Sequence, residues 1–142
     1  MTDGGKTFRW PIRVYIEDTD AGGIVFYANY LKYMERARTE WVRQNGAALR
    51  ARLENGISFV VQKVQLEYHR PAKLDDELWV SARVVNHGKA FMEFEQAVFR
   101  DLDEGGPLVE ARIKVVCVDL ERNRPRRLPD DIFQLVSSQT QS

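Results

Sequence analysis

Residues 28–46 read ANYLKYMERARTEWVRQNG. The apolar side chains in this stretch recur every three or four positions, the spacing of one face of an α-helix: Tyr30, Leu31, Met34, Ala37, Trp41 and Val42. Arg38 alone interrupts this apolar stripe, and Asn45-Gly46 is a typical C-terminal stop. The pattern predicts a helix of about five turns from Ala28 to about Asn45, followed by a short second helix from Ala47 to Asn55.

β-rich segments flank the helical region on both sides. One precedes it, Phe8–Ile16, and four follow it between turn signals: Ile57–Tyr68, Glu77–Val85, Phe91–Arg100 and Val109–Val118. The order of the last four favours an antiparallel meander. An α+β domain is expected, with the long helix across the apolar face of a five-stranded sheet. The length suits a single domain over residues 1–142, with a core of about 8–135 and frayed ends, including Ser137–Ser142.

Composition and charge exclude several classes of protein. Lys plus Arg and Asp plus Glu both total 21, so the net charge is zero and no global field attracts nucleic acid or anionic lipid. The single cysteine, Cys117, lies in an apolar run, which predicts a buried, reduced thiol. No apolar stretch approaches the roughly 20 residues that span a bilayer, and no apolar leader is present. We therefore expect a cytoplasmic protein without a membrane span or a nucleic-acid partner.

An acidic cluster, EDTDAGGIV at residues 17–25, separates the first strand from the long helix. Its first half resembles a calcium loop, but Asn29 stands where a bidentate glutamate is required. Two histidines and one cysteine offer no zinc-ligand spacing. Motifs for a serine nucleophile or a phosphate-binding loop are also absent. The sequence predicts no metal and no cofactor.

A carboxylate just ahead of a helix N-terminus is the remaining candidate for chemistry. Gly22 and Gly23 permit a tight turn and close approach to a ligand, and the start of a helix presents unpaired N–H groups at the positive end of its dipole. Such a site can polarise a carbonyl while the carboxylate attacks it or activates water. The residues alone leave a simpler alternative open, in which Asp18 or Asp20 caps the helix.

Several motifs together resemble one family. The segment RVYIEDTDAGGIV at residues 13–25 is followed by Asn29-Tyr30 and by ERARTE at 35–40, and further matching motifs are FVV at 59–61, EY..PA.LDD at 67–76, VCVD at 116–119 and RLP at 127–129. Over about residues 8–135 the chain resembles the hotdog-fold acyl-CoA thioesterases of the 4-hydroxybenzoyl-CoA thioesterase superfamily, most closely the Tol-Pal-associated branch. The resemblance implies a five-stranded antiparallel sheet wrapped around a long central helix. It also implies a homodimer, alone or in a dimer-of-dimers tetramer, with joined sheets and active sites at the subunit interface.

The resemblance assigns roles within the acidic cluster. Asp20 falls on the catalytic carboxylate, as nucleophile or general base, and the backbone amide of Tyr27 falls on the donor that binds the thioester oxygen. Gly22, Gly23 and Ile24 are then substrate-binding residues, and Asp18 and Glu17 are supporting residues. Tyr27 itself is a departure, because many members of this branch carry histidine there.

The resemblance also implies partners. Arg70, Lys89 and the run Arg124–Arg127 are candidates for contacts with the phosphates of the CoA substrate. The alternative function is an adaptor linked to cell-envelope maintenance, which would use the same pocket to hold acyl groups, with an acyl carrier protein as partner. The Thr19-Asp20 pair favours the enzyme, because an acyl pocket needs no carboxylate facing the carbonyl.

Overall fold

The computed structural model describes residues 7–46, 55–100 and 105–140 as an antiparallel sheet with two α-helices. A single 3-10 turn, Ile16–Asp18, precedes the first helix. The elements in chain order are β1 Phe8–Arg13, α1 Asn29–Gln44, β2 Ile57–Tyr68, β3 Glu77–His87, β4 Phe91–Arg100, β5 Val109–Asp119, β6 Arg124–Pro125 and α2 Asp130–Thr140. The long helix and the five main strands predicted from the sequence are confirmed. The predicted second helix over Ala47–Asn55 lies outside the described residues, except for Asn55, which is in a turn.

The sheet has the strand order β1-β3-β4-β5-β2, with the two-residue β6 beside β5. Strands β3, β4 and β5 form the predicted meander. The meander is wrong for β2, which pairs with β5 from Ile57↔Asp119 to Tyr68↔Val109. Strand β1 occupies the free side of β3, from Phe8↔Ala82 to Arg13↔Glu77, so β2 cannot pair there. Strand β2 therefore forms one edge of the sheet and β1 the other.

Helix α1 lies across one face of the sheet and buries most of the predicted apolar stripe. Tyr30, Met34, Ala37, Trp41 and Val42 are buried as predicted. Trp41 meets Phe94 of β4 edge-on, with ring centroids 5.4 Å apart. Burial of each large side chain in such a core contributes about 1.5–3 kcal/mol. Two positions of the stripe differ from the prediction: Leu31 is exposed, and Tyr33 is fully buried instead.

Arg38, the residue that interrupts the stripe, reaches a buried glutamine of β4. Its Nη1 donates to Gln96 Oε1 at 3.0 Å, and Gln96 Nε2 donates to the carbonyls of Met34 and Ser81, both at 3.1 Å. Gln96 is 1% exposed. Burial lowers the pKa of the Arg38 guanidinium from its ordinary value, although arginine stays charged in proteins. These hydrogen bonds join α1 to β3 and β4 across the core.

The C-terminal helix α2 was not predicted. Asp130 and Asp131 occupy its first turn, where acidic side chains complement the helix dipole. Ile132 and Val136 are buried, and Phe133 meets the His87 ring edge-on with centroids 5.4 Å apart. The frayed tail predicted for Ser137–Ser142 is therefore wrong as far as Thr140, because one face of α2 packs on the end of the sheet. No helix in the described ranges is long and apolar enough to cross a membrane.

The two edges of the sheet differ. Strand β1 exposes Arg9, Pro11 and Arg13, and Pro11 has no N–H to offer a further strand. Strand β2 is twelve residues long and leaves Val61 and Tyr68 both 47% exposed. Long, apolar edges pair readily with another strand, whereas charges and proline prevent it. The β2 edge is therefore open to pairing and the β1 edge is protected.

Candidate active site

The loop over residues 14–28 carries the predicted site and is held against the connection between β2 and β3. Val14 exchanges backbone hydrogen bonds with this connection, donating to Asp76 and accepting from Asp75, both at 3.0 Å. Further along, Val25 N–H donates to the Ala72 carbonyl at 2.9 Å and Leu74 N–H to the Gly23 carbonyl at 3.1 Å. Four backbone hydrogen bonds thus hold the loop at the end of the sheet where β1 stops and β3 begins.

Asp18 lies inside this loop and is 5% exposed. Its Oδ2 accepts the Tyr15 N–H at 2.9 Å. Its carbonyl oxygen accepts two further hydrogen bonds, from Phe26 N–H at 3.0 Å and from Asn29 Nδ2 at 2.8 Å. A buried carboxylate and a doubly bonded carbonyl are the contacts of a residue that shapes the loop, in keeping with the supporting role expected of Asp18.

Tyr33 of α1 lies beneath Asp18. Its side chain is fully buried, and its hydroxyl makes no hydrogen bond of normal geometry to any described residue. Burial raises the pKa of the Tyr33 hydroxyl well above its ordinary value, and the nearby Asp18 carboxylate raises it further. The tyrosine is therefore neutral over the whole physiological range.

Asp20 lies at the exposed turn of the loop. Its N–H donates to the Ile24 carbonyl at 2.9 Å, its carbonyl accepts Gly23 N–H at 3.0 Å, and its Oδ1 accepts Gly22 N–H at 2.8 Å. Gly23 has φ +80°, a left-handed conformation that favours glycine. A Cβ on Gly22 would lie 3.3 Å from Asp20 Oδ1. Both glycines therefore serve the turn that orients the Asp20 carboxylate.

The other two residues of the cluster differ in their contacts. Ile24 forms an isolated bridge with Lys73 and is 36% exposed, so it offers apolar surface beside the turn. Glu17 is exposed, and no hydrogen bond or ion pair joins it to another residue of the described ranges. No hydrogen bond or ion pair in the described ranges therefore accounts for the supporting role predicted for Glu17.

The start of α1 presents free backbone donors. The helix begins at Asn29 after Ala28 as N-cap, and no side chain caps it. The alternative in which Asp18 or Asp20 caps the helix is therefore wrong. Asn29 N–H donates to the Phe26 carbonyl at 2.8 Å, whereas the N–H groups of Tyr27 and Ala28 find no acceptor among the described residues. Unpaired N–H groups at a helix start favour an oxygen that carries negative charge.

Tyr27 belongs to an aromatic cluster at the start of α1. The Tyr68 hydroxyl donates to the Tyr27 carbonyl at 3.2 Å, and the ring centroids of these two residues are 6.4 Å apart. The ring centroids of Phe26 and Tyr27 are 4.8 Å apart, and those of Tyr30 and Tyr68 are 5.8 Å apart. Burial raises the pKa of the Tyr68 hydroxyl from its ordinary value. Sequence reasoning gave no role to Tyr68, because only the fold brings β2 to the start of α1.

Two of the predicted phosphate contacts, Arg70 and Lys89, lie in different places, and the run Arg124–Arg127 begins in β6 beside β5. Arg70 Nη2 donates to the carbonyls of Gly105 and Gly106 at 2.8 and 2.7 Å, so its guanidinium holds a neighbouring loop. Lys89 lies in the turn that follows β3, whereas the Asp20 loop lies near the opposite end of β3, where the strand begins. The eleven residues of β3 separate the two ends by about 33 Å at the usual rise per strand residue. One chain therefore does not bring Lys89 to Asp20.

Two features lie apart from the Asp20 loop. Among the described residues, one group of three potential metal ligands lies close together, namely the exposed Glu67, His69 and Glu110. His69 Nε2 is 2.9 Å from Glu110 Oε1, which is an ordinary surface ion pair when the histidine is protonated. A concavity of about 990 Å³ lies on the face of the sheet away from α1 and is lined by residues such as Arg83, Glu95 and Arg112. No residue of the 14–28 loop lines it.

Comparisons with known proteins give the family of this chain. The sequence pattern of the thioesterase-like superfamily matches residues 14–136. The chain belongs to the thioesterase-like superfamily. It is similar to the acyl-CoA thioester hydrolase YbgC of Escherichia coli O6:H1, at 42% identity over 88% of this chain and 92% of that protein. It is also similar to the acyl-CoA thioesterase YbgC of Haemophilus influenzae, at 41% identity over 93% and 94%.

Solved structures of the superfamily have the same architecture. A probable thioesterase from Bartonella henselae matches with a TM-score of 0.75 and 31% identity, covering 87% of this chain and 98% of that one. The predicted hotdog fold is confirmed, and so is the predicted enzyme class, a thioesterase. The roles of individual residues in this thioesterase remain predictions.

Proposed function

We propose that the protein hydrolyses acyl-CoA thioesters, with the Asp20 carboxylate as nucleophile or general base and the Tyr27 amide as oxyanion donor. The observation that carries this proposal is the pair of free N–H groups of Tyr27 and Ala28 at the uncapped start of α1, a few residues after the turn that exposes Asp20. The names of the two YbgC relatives, both acyl-CoA thioesterases, support the substrate class.

The chemistry needs few groups. The Tyr27 N–H and the dipole of α1 stabilise the negative charge that develops on the thioester oxygen. The Asp20 carboxylate either attacks the carbonyl carbon, giving an acyl-enzyme anhydride that water then opens, or takes a proton from the attacking water. The carbon–sulfur bond breaks with its electron pair on sulfur. Thiols are much stronger acids than alcohols, as the pKa of about 8.5 for the cysteine thiol illustrates, so the thiolate leaves without a dedicated acid and takes its proton from solvent.

A homodimer through the β2 edge is part of the proposal. Val61, Val64 and Tyr68 are large apolar residues exposed along β2, and their cross-strand partners Val115, Ile113 and Val109 are buried. The apolar face of β2 therefore continues the core beyond the cover of α1. A second copy that pairs with β2 buries this face. The sheet surface away from α1 is the remaining face through which two dimers could form a tetramer.

Such a dimer gives Lys89 a place in the site. Two copies of β2 that continue one sheet, with their apolar faces on the same side, run antiparallel. The Tyr68 end of one copy, which contacts Tyr27, then lies near the Ile57 end of the other. Lys89 lies at that end, because Ala90 accepts the Cys117 N–H at 2.8 Å and Cys117 pairs with Phe59. Lys89 and Arg124–Arg127 of the partner subunit are thus the proposed contacts for the CoA phosphates.

The second candidate is an acyl-binding adaptor in the cytoplasm, with an acyl carrier protein as partner and a connection to the Tol-Pal system. The exposed apolar side chains Phe26 and Tyr27 beside the free amides could hold an acyl group without chemistry. The exposed Asp20 carboxylate at the same place favours hydrolysis, because burying it against an acyl chain without a reaction would cost free energy.

The test is thiol release from short, long and aromatic acyl-CoAs by the wild type and by Asp20→Asn. We expect turnover by the wild type and a loss of at least about 100-fold in kcat for Asp20→Asn, in the range found when a catalytic group is removed, with the fold and subunit number unchanged. Asp130→Asn, an exposed acid in the first turn of α2, is the matched control and should keep full activity. Full turnover by Asp20→Asn contradicts its assignment, and negligible wild-type turnover with capture of an acyl carrier protein supports the adaptor.

A further inference from the structure

The side chain of Asn29 joins the two halves of the candidate site. Its Nδ2 donates to the Asp18 carbonyl at 2.8 Å, and the same oxygen accepts the Phe26 N–H at 3.0 Å. The Asn29 N–H in turn donates to the Phe26 carbonyl at 2.8 Å. These three hydrogen bonds connect the loop, the segment before the helix and the first turn of α1 in one closed arrangement.

The two proposed reacting groups are attached directly to this arrangement. Tyr27, whose amide is the proposed oxyanion donor, lies between Phe26 and Asn29 in the chain. Asp20 follows Asp18 by two residues. The three bonds therefore contribute to the position of the Asp20 carboxylate relative to the Tyr27 N–H, together with the turn that orients Asp20. A misplacement of reacting groups by about 1 Å can cost about 100-fold in rate.

Helix stability does not explain an asparagine at this position. Asn29 is the first residue of α1, and the first turn contains no acidic residue. Aspartate has the same shape, and its charge would complement the helix dipole by about 0.3–1 kcal/mol. Aspartate, however, has no N–H to donate to the Asp18 carbonyl. The amide of Asn29 thus serves the contact with Asp18 rather than the helix.

We infer that Asn29 is a positioning residue, whose side-chain amide holds the Asp20 loop against the start of α1 at the spacing that the reaction needs. This inference rests on the roles proposed above for Asp20 and Tyr27. Asn29 does not touch the substrate in this scheme. It acts through the Asp18 carbonyl.

Asn29→Asp separates positioning from stability. The variant keeps the shape of the side chain, loses its donor and places a negative oxygen against the Asp18 carbonyl. We expect kcat to fall about 10- to 100-fold, KM to change less than about twofold, and Tm to change little, because the favourable helix dipole offsets the lost hydrogen bond. A protonated aspartate can donate again, so the kcat of the variant relative to the wild type at the same pH should recover as pH falls from about 7 toward about 4.5.

Asn45→Asp is the matched control at the other end of the same helix. Asn45 Nδ2 donates to the Trp41 carbonyl at 2.7 Å, which is the same kind of bond, but Asn45 is about 24 Å along the helix from Asn29. A negative charge there opposes the dipole. We expect Asn45→Asp to lower Tm and leave kcat unchanged, the reverse of the result for Asn29→Asp.

Two results would overturn the inference. One is wild-type kcat for Asn29→Asp across the pH range, and the other is a loss of kcat with a parallel loss of Tm and no recovery at low pH. Asp20→Asn is measured in parallel, so that a failure of the positioning role can be distinguished from a failure of the proposed function. If Asp20→Asn is inactive and Asn29→Asp is fully active, only the positioning role fails. If Asp20→Asn is fully active, the proposed function fails and the inference fails with it.

Discussion

Replacement of Gln96 by leucine tests how α1 is held on the sheet. Gln96 is 1% exposed and makes three hydrogen bonds, to the carbonyls of Met34 and Ser81 and from the Arg38 guanidinium. Leucine is apolar and cannot make any of these bonds. The part-buried charge of Arg38 then loses the one hydrogen bond that it makes to a side chain of the described residues.

The expected cost follows from these bonds. Loss of the bond from the charged Arg38 costs about 1.5–3 kcal/mol, and loss of the two bonds to carbonyls costs about 0.5–1.5 kcal/mol each. The leucine returns about 1 kcal/mol, because the methylene groups of Gln96 are already buried. The free energy of unfolding should therefore fall by about 1.5–5 kcal/mol, and Tm by roughly 5–20 °C for a chain of this size.

Urea and thermal unfolding followed by circular dichroism give both quantities. Gln134→Leu, at an exposed position of α2, is the control and should change stability by less than about 0.5 kcal/mol. Arg38→Met in the Gln96→Leu background should recover part of the loss, because it removes the unpaired buried charge. Unfolding of Gln96→Leu at wild-type denaturant concentration would refute the reasoning, since the polar link would then contribute nothing to the attachment of α1.

Two further predictions concern assembly and pH. Val61→Asp places a charge on the apolar face of β2 and should halve the molecular mass of the assembly in sedimentation analysis. Arg9→Asp on the β1 edge should leave that mass unchanged. If Val61→Asp is still a dimer, the interface lies elsewhere. Tyr33→Phe should be as stable as the wild type at pH 7 and lose less stability above about pH 10. The raised pKa of Tyr33 means that the unfolded chain releases the phenol proton first, so wild-type stability falls as pH rises past the ordinary tyrosine pKa of about 10. Equal alkaline unfolding curves for the two proteins would contradict this assignment.

The sequence predicted the elements of the fold better than their arrangement. Local periodicity was enough for α1 and the main strands, because each pattern repeats within a few residues. The position of β2 beside β5 depends on β1 occupying the free side of β3, which no local pattern records. The sequence contains a signal for helix α2, since two acidic residues precede apolar positions at helical spacing. The helix was not predicted, because the residues at its C-terminal end are polar.

The candidate site was predicted in part. The motif drew attention to Asp20, Gly22 and Gly23, which the structure brings into one turn. From the sequence, Asn29 was considered mainly as a residue that cannot replace the glutamate of a calcium loop. The role of its side-chain amide was not predicted, because the contact depends on where the Asp18 carbonyl lies in space. Lys89 and Asp20 cannot meet in one chain, which is a question of distance that sequence separation does not answer.

The unequal edges of the sheet limit how far pairing through β2 can extend it. Each copy has one sheet edge that accepts a neighbour and one, with Pro11 and two exposed arginines, that does not. When two copies pair through β2, the two remaining edges of the joined sheet are both β1 edges, which do not pair readily. The sheet therefore does not extend beyond the dimer. We therefore expect that the proposed dimer does not extend into fibrils through this sheet, and that a substitution that made the β1 edge able to pair would remove that limit.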